Sequence, residues 1–84
     1  MRLRAHLTFP QSLVSEPIIY RLGKEFAVVT SIRRANVEEG IGWVILDLIG
    51  EAAEIERARE WVEQQGIQVD VIERAEDTEP RTAE

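Results

Sequence analysis

Leu3, Ala5, Leu7 and Phe9 alternate with Arg2, Arg4, His6 and Thr8, the period of two expected of a strand with one face on a core. Pro10 cannot donate to a ladder and ends this segment, and Ser12 to Ser15 read as a loop. Ile18, Ile19, Leu22 and Phe26 then recur at helical spacing, behind Ser15 as a cap, Glu16 to complement the helix dipole and Pro17 in the first turn. Gly23 costs about 1 kcal/mol against alanine inside so short a helix, so it either admits a close neighbour or begins to end the helix. Ala27 to Glu38 holds Val28, Val29, Thr30, Ile32 and Val37, a second strand. Its Arg33, Arg34 and Asn36 are too polar for a central place, which predicts an edge.

Glu39 and Gly40 supply a short turn into Ile41 to Gly50, a run that is apolar except for Asp47. In this third strand Val44, Leu46 and Leu48 share one face and Trp43, Ile45 and Ile49 the other. Glu51 and Glu54 then load the first turn of a helix with Ala52, Ile55, Ala58 and Val62 as its apolar stripe, and Gly66 provides a left-handed stop. Ile67, Val69 and Val71 give the last strand. The segment RAEDTEPRTAE from Arg74 onward is charged and lacks apolar periodicity, so the expected organisation is a domain over residues 1–73 and a disordered acidic tail over 74–84.

Two strand–helix–strand passes joined by a central hairpin, with right-handed crossovers, predict an α+β fold. It is a ferredoxin-like βαββαβ split sandwich, a four-stranded antiparallel sheet with two helices on one face. The opposite face is then open and carries Arg4, His6, Thr8, Trp43, Ile45, Asp47, Gln68 and Asp70. His6, Trp43 and Ile45 are the candidate interface residues there, because apolar surface left open beside a free strand edge invites a partner.

Composition narrows the chemistry. A chain of 84 residues suits one domain with a modest core, burying about 60 to 65% of its unfolded surface. Without cysteine it cannot itself make a disulfide, a thiolate zinc site, an iron–sulfur ligand or a cysteine nucleophile. The net charge of −6, with acid concentrated in the C-terminal half, opposes nucleic-acid binding. No apolar stretch approaches the roughly 20 residues of a membrane span, and the N-terminus lacks signal-peptide order, so a soluble cytoplasmic protein is expected.

Single residues add little catalytic promise. His6 is the only histidine, with Asp47 the only obvious carboxylate to orient it as a base; a surface or interface role is the default. Glu54 with Arg57 and Glu56 with Arg59 are spaced as ion pairs on a solvated helix face rather than as a metal site. Trp61 reads as helix-to-sheet packing, and Arg33 and Arg34 as solvated edge charges before anion or partner recognition. No GxGxxG, P-loop, Ser-His-Asp arrangement or metal-spaced histidine cluster occurs. The expectation is therefore a noncatalytic protein with no metal and no cofactor.

LTFP at Leu7 to Pro10, EPIIYRLGKEF at Glu16 to Phe26, the strand from Gly42 to Gly50 and AREWVEQQGIQVDVI at Ala58 to Ile72 together resemble the NIL domain. That family is best known as the C-terminal regulatory domain of methionine-importing ABC-transporter ATPase subunits. The resemblance implies a ferredoxin-like fold, a homodimer, and a small-molecule site near the dimer interface that in the transporters takes methionine and inhibits transport. It also implies ligand-binding roles for Ser31, Ile32 and Val37. Where the family carries its Asn-Ile-Leu triplet this chain reads Ser31-Ile32-Arg33, and a serine hydroxyl has shorter reach and different geometry from an amide. Weak or absent methionine binding is expected in consequence. Two readings follow: an amino-acid or metabolite sensor read out by a separate effector protein, and a protein-interaction adaptor with no small ligand, docking a transporter or iron–sulfur protein through its open sheet or edge strand.

Overall fold

The alternation in the first strand becomes the central element of the computed structural model, which describes residues 1–13, 16–38 and 41–76. β1 (Arg2–Pro10) buries Leu3, Ala5, Leu7 and Phe9, and a short 3-10 turn, Gln11–Leu13, follows. Then come α1 (Ile18–Glu25), β2 (Val28–Glu38), β3 (Ile41–Gly50), α2 (Ala52–Gln64) and β4 (Gln68–Ala75). The strands form one antiparallel sheet in the order β2-β3-β1-β4. This is the expected ferredoxin-like arrangement, with β2 on an edge.

Register explains the sidedness. Leu3, Ala5 and Leu7 lie opposite Leu48, Leu46 and Val44, so their side chains form one continuous apolar face. Ile18 and Leu22 of α1 and Ile55, Ala58 and Val62 of α2 pack on it in a single core. Burial of such side chains, at about 1.5 to 3 kcal/mol each, is the main term holding the domain together.

Several local expectations are corrected. α1 begins at Ile18 with Pro17 in the capping position, because Ile18 N–H already closes a turn onto the Glu16 carbonyl at 2.8 Å; the expected cap, Ser15, lies outside the described residues, as does the Glu39–Gly40 turn. Gly23 does not end the helix, which runs on to Glu25. Ala52 stays at the surface, since the buried stripe of α2 starts one turn later at Ile55. Trp61 packs against the core, and its ring also lies 5.8 Å from Phe26 at the end of α1, with the Arg21 guanidinium 5.1 Å above it. Gly66 adopts φ +94°, the left-handed stop predicted for it.

The last strand also outruns its apolar residues. β4 continues to Ala75, because Arg74 and Ala75 find backbone partners in Leu3 and Arg2, and the Arg74 guanidinium reaches Glu56 of α2 at 3.4 Å. Residues 77–84 lie outside the described part.

Candidate functional site

Hydrogen-bond register divides the candidate residues between the two faces of the edge strand. Ile32 and Val37 lie opposite Leu46 and Gly42, on the helix side, whereas Ser31 lies opposite Asp47 on the open side. The structure therefore brings Val37 together with neither Ser31 nor the open-face group. From Ser31 to Glu38 every residue of β2 is exposed, and the large apolar side chains Val29, Ile32 and Val37 stand 63%, 56% and 64% exposed. Arg33, Arg34 and a bulge between Ile32 and Arg34 blunt the middle of this edge, and its apolar side chains stand exposed on either side of them.

On the helix side, Val37 walls a hollow of about 180 Å³ with Phe9, Ile18, Ile19, Tyr20 and Glu16, and Trp43 meets its edge from the strand between. Its lining is mostly apolar, with Glu16, two residues ahead of α1, as its one charged residue and Tyr20 beside it. Sequence reasoning placed Val37 at a site but missed Phe9 and Glu16, because nothing in their local pattern says that the end of β1 and the entry to α1 meet beside the hairpin.

The open face is more polar than the sequence implied. Trp43 and Ile45 are half-buried rather than exposed: the His6 ring stacks on Trp43, centroids 5.3 Å apart and planes 20° from parallel. His6 Nδ1 also lies 3.4 Å from the Thr8 hydroxyl. His6 does not engage Asp47. That carboxylate is instead 3% exposed and taken by Arg4, whose Nε and Nη2 donate to its two oxygens at 2.8 and 3.2 Å, with Arg33 3.7 Å away. The Arg4 hydrogen bonds hold the Asp47 carboxyl below the usual carboxylate range, against the opposing effect of burial. Arg2 pairs with Glu73 at 3.0 Å, and its buried Nε has no acceptor among the described residues.

On the outer face of α2, Glu54 pairs with Arg57 and Glu56 with Arg59, as the spacing predicted. Among the described residues no group of three His, Asp or Glu side chains is placed to hold a metal ion. Among the described residues no helix is long and apolar enough to cross a membrane.

Comparison with known proteins places this geometry. The sequence is 36% identical over 63 residues to the methionine import ATP-binding protein MetN of Helicobacter pylori strain J99, and equally to that of strain 26695; each match covers 70% of this chain and 19% of the relative. The chain thus spans about a fifth of the length of these relatives. The crystal structure of the C-terminal domain of an ABC transporter ATP-binding protein from Enterococcus faecalis superposes with a TM-score of 0.73 at 26% identity, covering 87% of this chain and 86% of that one. A de novo designed protein, Ferredog-Diesel, shares the fold at 14% identity and a TM-score of 0.55. The NIL domain model matches residues 3–71, nearly the whole described chain, and the protein belongs to the NIL domain family.

Proposed function

We propose that this chain is a noncatalytic regulatory module of the cytoplasm that binds a small metabolite of amino-acid size at a homodimer seam and is read by a separate effector protein. The hollow between α1 and the β2–β3 end carries this reading. At about 180 Å³ it is smaller than the roughly 300 to 1,000 Å³ of sites for drug-sized ligands. Its apolar walls suit an aliphatic or thioether side chain, and the Glu16 carboxylate suits an ammonium group. Val37 belongs both to the hollow and to the exposed edge. A second copy adding its β2 there would cover Ile32 and Val37 and close the hollow, with Trp43 and His6 behind the seam and Ile45 further along the sheet. The relatives named as methionine import proteins favour an amino acid as the ligand class. Ser31 lies on the far side of the strand from this hollow and does not bear on its choice of ligand.

A panel of free amino acids in a thermal-shift assay, followed by calorimetry and sedimentation, tests this. One apolar amino acid should raise the midpoint and favour the dimer, and Ser31→Asn, on the other face, should leave that binding unchanged. Silence across the panel would leave the second reading, an adaptor that docks a transporter or iron–sulfur partner on the exposed Val29, Ile32 and Val37 edge.

A further inference from the structure

Both edge strands carry a surplus residue near the middle of the sheet. β2 breaks register between Ile32 and Arg34, and β4 does so opposite Arg4 and Ala5. The surplus residues, Arg33 and Ile72, turn onto the face away from the helices. There, with Arg4, Arg34 and Ile45, they line a hollow of about 350 Å³. Bulges re-aim side chains and are common beside binding sites. Two of them converging on one hollow from opposite edges make a cradle that a regular sheet would lack.

The charges in this cradle do not balance. Three guanidiniums line it, and the one carboxylate beneath them, Asp47, is already held by Arg4 at 2.8 Å with Arg33 at 3.7 Å. Glu73 at the rim is shared between Arg2 at 3.0 Å and Arg4 at 3.6 Å. Arg34 meets no carboxylate among the described residues. In a chain of net charge −6 this is a local cationic well, and Asp47 fixes the orientation of Arg4 within it.

We propose that this hollow is a second binding site, for a small organic dianion such as a phosphomonoester or dicarboxylate. Its oxyanion lies between Arg33 and Arg34, and its carbon skeleton rests on Ile45 and Ile72. The planar fork of each guanidinium matches two oxygens of a carboxylate or phosphate. The site is independent of the amino-acid hollow, from which it is separated by the sheet.

Amide chemical shifts recorded during titration with succinate and with inorganic phosphate, at ionic strength held constant with sodium chloride and without amino acids, test the proposal. Saturable shifts at Arg33, Arg34, Ile45 and Ile72 are expected. Phosphate shifts as strong as those of succinate identify the bare oxyanion as sufficient, and stronger succinate shifts add the carbon skeleton. Arg34→Gln, at an exposed position that the fold does not need, should weaken binding about ten- to a hundredfold, and Ile72→Glu should abolish it by placing a like charge in the cradle. Arg21→Gln, on α1, should leave it unchanged. Shifts that never saturate, that survive Arg33→Gln with Arg34→Gln, or that centre on Phe9 and Val37 would overturn the assignment.

Discussion

Glu54, in the first turn of α2, accepts the backbone N–H of Ala27 at 2.8 Å across 27 residues of sequence. Its other oxygen meets Arg57. The carboxylate thereby anchors the entry to the edge strand onto the second helix. Glu54→Ala should lower stability by about 1 to 2 kcal/mol, and hydrogen exchange should quicken at Val28 and its neighbours before it changes in β1.

Two glycines should respond to alanine with opposite signs. A Cβ on Gly50 would fall 2.9 Å from the Ala27 carbonyl oxygen, a backbone atom that cannot swing aside, so Gly50→Ala should cost about 1 to 3 kcal/mol. A Cβ on Gly23 would sit 3.7 Å from the Thr30 hydroxyl, an ordinary contact, and Gly23→Ala should stabilise by about 0.5 to 1 kcal/mol. Chemical denaturation of the two variants checks both signs together.

Acid should weaken the fold through Asp47. Its carboxyl, bound by Arg4, is held below the ordinary range, so the unfolded chain takes up its proton at higher pH than the folded one. The resulting stability is complete above the normal carboxylate pKa of about 4 and is lost as pH falls through the lower folded value. Glu56, lowered by its hydrogen bond from Arg59, adds in the same direction. Asp47→Asn should reduce the melting midpoint at neutral pH by roughly 5 to 15 °C and flatten its dependence between about pH 5 and 2. An unchanged acid profile in that variant would remove Asp47 from the account.

The proposed seam makes its own prediction. Val37→Asp puts a charge on an exposed residue that contributes nothing to the core, so the monomer should melt within about 0.5 kcal/mol of the parent. The dimer should be lost in sedimentation at micromolar concentration, together with amino-acid binding. Trp43→Asp should weaken the dimer less selectively, since Trp43 also stacks on His6.

Periodicity alone carried most of the architecture. Alternation in β1 and β3 and the spacing of Ile18 with Leu22 and of Ile55, Ala58 and Val62 assigned strand or helix and chose the buried face, because side-chain direction repeats every two residues in a strand and about every 3.6 in a helix. The polarity of Arg33, Arg34 and Asn36 was enough to send β2 to the edge. Resemblance of whole segments, rather than any one motif, indicated the family.

What the sequence left open depended on which residues meet across the sheet. A bulge is a mismatch between two strands, so neither Arg33 nor Ile72 could be assigned a face from its own strand alone. Asp47 looked like a partner for His6 because both lie on the open side, yet the register sets Arg4 directly opposite it. His6 was left to stack on Trp43. Phe9, Glu16 and Val37 come from three separate segments and share a hollow only once the sheet and α1 are packed. Local pattern determines element and face, because both follow from backbone repeat and burial; pairing register and crossover packing decide which side chains converge, and those are properties of the folded chain as a whole.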